Sequence, residues 1–385
     1  MRVVIDARPA LDLRRTGVGH YTQQLIRHLP AADPDDEYTA WYLHARGLLH
    51  PQRFFADVPR LRERASRLPA RLYQPLAWRT GFPRLESLVD FDVLLATNFV
   101  PPPTGSGGVV PMVHDLAFRL FPETAPHMGA RWLRRFDQAL RRAARILVPS
   151  ASSKADLARL FDVDPERIDV VHHGVDADAF RGTATADVDD VRRRYRIPGR
   201  YALFVGGIEP RKNLENLVRA FGLVAADLGV SLVIAGGAVR WFPSAVARLE
   251  TEIAKLGPFA REHVIRTGYV SERDKVALMS GAACLAYPST YEGFGFPVLE
   301  AFAADLPVLT SNVSSLPEVA GTAAHLVDPG DVEALAAGLR QLFVDEDLRA
   351  SLRAAGLARV ASFTWEATAR ATAQVLRRAH AEARR

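Results

Sequence analysis

Short apolar runs alternate with helix-length amphipathic stretches along all 385 residues, and that alternation leaves few folds open. Val3-Val4-Ile5, Val93-Leu94-Leu95-Ala96 and Leu232-Val233-Ile234-Ala235 are apolar at every position. A strand with one wet face alternates between polar and apolar residues. A strand covered on both faces is apolar throughout, as in a parallel sheet with helices on either side. Twelve strands are expected, at 2–7, 38–43, 92–97, 109–114, 145–149 and 169–173, then at 201–205, 231–235, 263–267, 283–287, 307–310 and 325–327. Strand and helix in repeated succession predict an α/β protein built on doubly wound sheets.

The pattern lapses once. Residues 177–200 carry Gly182, the polar Thr183-Ala184-Thr185-Ala186, the acidic Asp187-Val188-Asp189-Asp190 and Pro198-Gly199. The expected organisation is an N-terminal domain at 1–180, a linker at 181–200, a second domain at 201–363 and a charged amphipathic helix at 364–385. Hydrophobic residues at 48% and charged residues at 24% suit folded domains and exclude disorder across the whole chain. No run approaches the ~18–20 apolar residues of a membrane span. The opening Arg2-Val3-Val4-Ile5-Asp6 has an acid after three apolar residues, which reads as a strand and not a signal peptide. A single cysteine, Cys284, excludes a disulfide framework or a cysteine zinc cluster. These features point to the cytoplasm.

The formal net charge is +5, and only four of the 49 basic residues are lysine: Lys154, Lys212, Lys255 and Lys275. The arginines cluster, eight between Arg53 and Arg84 and six between Arg131 and Arg145, where Asp137 is the one acid. Such a surface suits nucleic acid, an anionic membrane or a phosphorylated substrate, and equally a solvated helix face.

Doubly wound sheets bind ligands outside the carboxyl ends of their strands, so the loops after strands hold the candidates. Gly17-Val18-Gly19 lead into a helical stretch, where backbone amides can approach an anion. The third glycine of a dinucleotide fingerprint is missing, and a tight turn fits equally. Gly206-Gly207-Ile208-Glu209-Pro210-Arg211-Lys212-Asn213 follow strand 201–205 directly. Two glycines and then two adjacent cations, one forked and one a point charge, suit a diphosphate. Glu292 and Glu300 are separated by seven residues, among them Gly293, Gly295, Phe296 and Pro297. With Pro297 in a first helical turn, Glu292 lies in a loop and Glu300 about one turn into the helix. Carboxylates accept hydrogen bonds in pairs, so neighbouring sugar hydroxyls are natural partners; capping of local amides is the structural alternative. His114-Asp115, at the end of strand 109–114, is catalytic or structural on equal terms. The paired acids at 35–36 and 189–190 read as solvated, and no metal site is expected.

Taken in order, Gly17-Val18-Gly19, Val113-His114-Asp115, the 206–213 turn and the Glu292-x7-Glu300 segment resemble one family over almost the whole chain. It is the retaining, nucleotide-sugar-dependent glycosyltransferases of family four, the group 1 type. The resemblance implies a GT-B fold, α/β with two Rossmann-like doubly wound domains facing a central cleft, and a last helix crossing back to the N-terminal domain. The N-terminal domain would bind the acceptor and the second the nucleotide sugar. Arg211 and Lys212 would hold the diphosphate, with Gly17 and Gly19 approaching it. Glu292 would bond hydroxyls of the transferred sugar and Glu300 those of the ribose. Gly295 and Phe296 would belong to the donor site, and His114 would sit beside the reacting centre. Many members carry arginine where Gly207 stands, which leaves that charge to Arg211.

The 206–213 turn and the opening Ile5-Asp6-Ala7-Arg8-Pro9 look like those of bacterial mannosyltransferases of surface polysaccharides. GDP-mannose is therefore the favoured donor, ahead of UDP and dTDP sugars. A glycan, lipid-linked or small-molecule hydroxyl would be the acceptor, with no further cofactor and no nucleic acid partner. Peripheral contact of the basic surface with an anionic membrane is the accompanying expectation. The alternatives are a nucleotide-sugar epimerase of the same fold and a non-catalytic sugar-nucleotide-binding protein. Transfer would proceed with retention and without metal, the two cations stabilising the leaving diphosphate.

Overall fold

The computed structural model describes residues 1–11, 16–44, 53–66, 69–105, 108–122, 128–239 and 241–384. By its own packing the chain divides into two units. Met1–Leu116, Met128–Gly174 and Trp365–Arg385 form the first; Ala117–His127 and Val175–Thr364 form the second.

The first unit contains β1 (Arg2–Asp6), β2 (Glu37–Leu43), β3 (Leu61–Ser66), β4 (Val93–Ala96), β5 (Val109–Pro111), β6 (Ile146–Val148) and β7 (Ile168–Val170). The first five make a parallel sheet in the order β3-β2-β1-β4-β5, and β6 pairs with β7. A parallel bridge from Met112 to Leu147 carries the end of β5 onto β6. The second unit contains β8 (Tyr201–Val205), β9 (Ser231–Ala235), β10 (Val264–Gly268), β11 (Cys284–Tyr287), β12 (Val308–Ser311) and β13 (His325–Val327). These form one parallel sheet, β10-β9-β8-β11-β12-β13. Each unit's first strand therefore lies inside its sheet, and the order turns back between β1 and β4 and again between β8 and β11. That reversal is where a doubly wound sheet leaves a crevice at its carboxyl edge.

The consecutive apolar positions are buried as the pattern requires: Val3, Val4, Ile5, Leu232, Val233 and Ile234 are all in the core. All twelve expected strands are present, and β3 is a thirteenth. Its sequence, Leu61-Arg62-Glu63-Arg64-Ala65-Ser66, is mostly polar because it pairs on one side only, with β2, and edge strands carry charge. The expected linker at 181–200 also needs correction. Thr185–Arg194 is a helix of the second unit, burying only Val191 and fixed by Arg194 and Tyr195, which donate to Asp274 at 2.8 Å. One buried side chain gives no periodicity to read. The last helix, Trp365–Ala383, belongs to the first unit, where it packs on the helix Gly17–Ala32.

Candidate active site

In the second unit the ends of β8 and its neighbour β9 are built without side chains. Gly206 and Gly236 follow β8 and β9, and a Cβ on Gly236 would lie 1.8 Å from the Gly206 carbonyl oxygen. Past this glycine floor, Pro210–Lys212 form one short turn closed by Asn213, whose left-handed φ of 58° starts the helix Leu214–Leu228. The Asn213 amide donates to the carbonyls of Pro288 and Pro329 at 3.1 and 2.7 Å, tying this turn to the loop after β11. Arg211 and Lys212 are thereby aimed across the crevice.

Glu292 receives them both. Arg211 Nη1 donates to Glu292 Oε2 at 2.5 Å, and Lys212 Nζ donates to Oε1 at 2.6 Å. Tyr287, the last residue of β11, joins them: its hydroxyl donates to Glu292 Oε1 at 2.8 Å and accepts from Lys212 Nζ. Arg211 Nε also donates to Glu209 Oε2 at 2.9 Å. The Glu292 backbone is held equally firmly. Its amide donates to Ser314 Oγ at 3.1 Å, and its carbonyl accepts from the hydroxyls of Ser314 and Ser315 at 2.6 and 2.9 Å. Burial opposes charge on Glu292, but Arg211 and then Lys212 outweigh it and hold the carboxyl down to about 2. Burial pulls the Lys212 ammonium below its usual value, with Glu292 opposing.

Glu300 stands in the helix Phe296–Ala303, with Pro297 in its first turn as expected. Its partner is a different cation: Lys275 Nζ donates to Glu300 Oε1 at 2.8 Å and lies 2.9 Å from Glu272. Burial alone would lower the Lys275 ammonium, but Glu300 and then Glu272 raise it. Gly295 caps this helix with φ 117°, and Phe296 opens it, edge-on to Phe294 with centroids 5.6 Å apart. Gly207 accepts no side chain freely, since a Cβ there would come within 2.6 Å of Val239.

The first unit gathers the other candidates. Gly17 and Gly19 lie in the first turn of the helix Gly17–Ala32, and the Gly19 amide is already satisfied by the Thr16 hydroxyl at 3.1 Å. Pro9 explains the absence of a side chain at Gly19, because a Cβ would stand 2.9 Å from its carbonyl oxygen. His114 follows β5, and its Nε2 bonds the Thr97 carbonyl at 2.8 Å. A carbonyl only accepts, so Nε2 carries the proton and Nδ1 of the neutral ring is an acceptor. Burial lowers the imidazole's affinity for a second proton, with Thr97 and Asp115 opposing. Tyr21 packs edge-on against His114 at 5.1 Å and tilted against His173 at 4.5 Å, beside Trp365.

Two of the site residues read from sequence, Arg211 and Lys212, thus converge on the carboxylate of a third, Glu292, Glu300 forms a second pair, and His114, Gly17 and Gly19 belong to the other unit. Tyr287, Lys275, Ser314 and Ser315 were not singled out. A rarity signal existed for Lys275, since lysine is so scarce here and two of its four occurrences sit on carboxylates of this region.

Two parallel α/β units in one chain, the second with Arg211 and Lys212 at its switch point, agree with the organisation of the GT-B glycosyltransferases. The profile for glycosyl transferases group 1 matches residues 188–359, and that for glycosyltransferase family 4 matches 15–179. An O-antigen chain mannosyltransferase B of Escherichia coli is 31% identical over 95% of this chain and 97% of its own. The chain belongs to this family and is a glycosyltransferase. An MMP alpha-(1->4)-mannosyltransferase of Mycolicibacterium hassiacum is 27% identical over 94% of this chain and 95% of its own. Among solved structures, Anabaena HepE in complex with UDP and glucose has the same fold, with a TM-score of 0.73, 18% identity, and coverage of 98% of this chain and 99% of that one.

Proposed function

We propose that the enzyme moves mannose from GDP-mannose, with retention, to a hydroxyl of a glycan or lipid-linked acceptor at the cytoplasmic side of the cell. The observation that carries the donor half is the Arg211–Glu292–Lys212 cluster at the carboxyl edge of β8 and β11. A diphosphate reaching this crevice meets two cations already desolvated and oriented, which is how leaving-group charge is stabilised without reorganisation. The donor's phosphates take over Arg211 and Lys212, and Glu292 turns its released oxygens to hydroxyls of the sugar. Glu300 offers the remaining carboxylate to the ribose. His114 Nδ1 accepts from a sugar hydroxyl, while Gly17, in the first turn of its helix, lends amide dipole to the phosphates. No metal is required where two cations neutralise the diphosphate, so activity survives chelation by EDTA. Mannose rests on the two mannosyltransferase relatives.

A thermal-shift screen with GDP, UDP, dTDP and ADP tests the donor. A nucleotide at about 100 times its Kd stabilises the fold by roughly 2.7 kcal/mol. A selective shift with GDP is expected. A selective shift with another nucleotide discards mannose, and product formed from donor without any acceptor identifies an epimerase instead.

A further inference from the structure

The second unit has a cavity at the opposite edge of its sheet from the Arg211–Glu292–Lys212 cluster. It measures about 970 Å³, and residues that precede strands line it: Arg200 before β8, Ala283 before β11 and Pro307 before β12. β8 is five residues long, so roughly 16 Å of strand separates this amino edge from the carboxyl edge. The volume is that of a small-molecule site.

Its charge is unbalanced. Arg181, Arg192, Arg200, Arg349 and Arg353 line it against two acids, Asp305 and Glu346. Glu346 serves two of the five: Arg349 Nε donates to its Oε2 at 3.1 Å and Arg353 Nη2 to its Oε1 at 2.6 Å. Arg181 pairs at 3.0 Å with Asp178, which is not part of the lining. Arg192 donates to the Gly199 carbonyl, and Arg200 lies over the Phe343 ring, 5.3 Å from its centroid. Neither makes an ion pair among the described residues, whereas Arg219, Arg248, Arg266 and Arg340 of the same unit each hold a carboxylate. Two of the cavity's arginines also converge on the start of β11. Burial pushes the Cys284 thiol up to about 12, and Arg200 and then Arg349 pull against it. Guanidinium groups gathered around one concavity repel one another, and its low-dielectric wall concentrates their field on whatever enters. Arginine forks without a carboxylate match the paired oxygens of a phosphate. Phe180, Ala303, Ala304 and Leu357 make the lining apolar beside them.

We infer that this cavity is a second anion site, which binds a small organic phosphate: Arg192 and Arg200 hold the phosphate, and Phe180 and Leu357 cover the carbon skeleton. Glu346 is the internal carboxylate that keeps Arg349 and Arg353 occupied in the absence of the ligand. None of the residues assigned to the donor lines the cavity, so the inference goes beyond the donor assignment and does not rest on it.

Hydrogen exchange of the full chain with phenyl phosphate, located by mass spectrometry, tests it. Protection is expected at 179–200 and 345–357, and at lower concentration than orthophosphate requires. R192S/R200S removes the two forks that lack a carboxylate and should raise the Kd read at 345–357 at least about 10-fold. E346Q removes the competing carboxylate and should lower that Kd about threefold or more. Both variants should keep the wild-type far-UV spectrum. Wild-type affinity in R192S/R200S, or weaker binding in E346Q, would overturn the assignment of the arginines. Orthophosphate acting at the same concentration as phenyl phosphate would overturn the organic ligand. No protection at 179–200 and 345–357, with or without protection at 206–213 in the donor crevice, would overturn the site and leave the GDP screen unaffected.

Discussion

Glu292 is the residue on which the site turns, because it neutralises Arg211 and Lys212, the two cations proposed to meet the donor's diphosphate. Removing one partner of a buried ion pair leaves an uncompensated charge and costs roughly 3 kcal/mol or more. Glu292→Gln keeps the shape and removes the charge, so the ligand-free enzyme should lose about that much stability in urea melts. GDP should restore much of it, since phosphate replaces the missing anion beside Arg211 and Lys212. Transfer should be abolished while GDP affinity holds or tightens. Weakening of GDP binding by roughly tenfold or more, measured by calorimetry, would show that Glu292 holds the nucleotide rather than competing with it. Arg211, Lys212 and Glu292 were legible in sequence because each lies in a glycine-marked turn after an apolar run. Tyr287 was not, for an aromatic at the end of a buried strand reads the same whether it packs or donates. Lys275 was invisible as a partner of Glu300 because the two sit on separate helices, and only the fold brings them within 2.8 Å.

At the scale of elements, the floor of the crevice depends on two strand ends touching backbone to backbone. Gly236→Ala places a methyl 1.8 Å from the Gly206 carbonyl oxygen, and neither backbone can yield without spreading β8 from β9. A cost of about 3 kcal/mol or more is expected. Gly237→Ala, whose Cβ would meet nothing closer than 3.7 Å, should cost under ~1 kcal/mol. Equal losses in the two variants, compared by urea midpoint, would refute close approach as the reason for Gly236. The same logic separates the elements that sequence revealed from those it hid. Doubly covered strands announce themselves by apolar residues at consecutive positions. β3, paired on one side, and Thr185–Arg194, burying one valine, each bury a single residue and so carry the composition of loops.

For the whole molecule, the two units differ in what acid does to them. His173 is buried in the first unit, and burial, then His114, His172 and His20, press its pKa well below the usual imidazole value. His114 is lowered in the same direction, by its burial. Both stay neutral in the folded unit while the unfolded chain begins to bind protons near pH 6.5. Stability is therefore undiminished above that pH. It falls below it, by up to about 1.4 kcal/mol per pH unit for each histidine, until the folded-state pKa is reached. The second unit follows the same sign in a lower window. Glu292 is held at about 2, so the stability it contributes is present above the ordinary glutamate value and is lost only as pH falls from about 4.3 toward 2. Between about pH 6.5 and 4.5, acid should accordingly weaken the first unit more than the second, where among the described residues burial lowers one imidazole, His325. The tryptophans make this measurable, since Trp41, Trp78, Trp132 and Trp365 lie in the first unit and only Trp241 in the second. Tryptophan emission should shift in that window while hydrogen exchange in β8, β9 and β11 stays protected. His173→Leu should move the emission transition to lower pH. Loss of protection in both units together, or an emission transition untouched by His173→Leu, would show that the buried histidines do not set the acid limit of the fold.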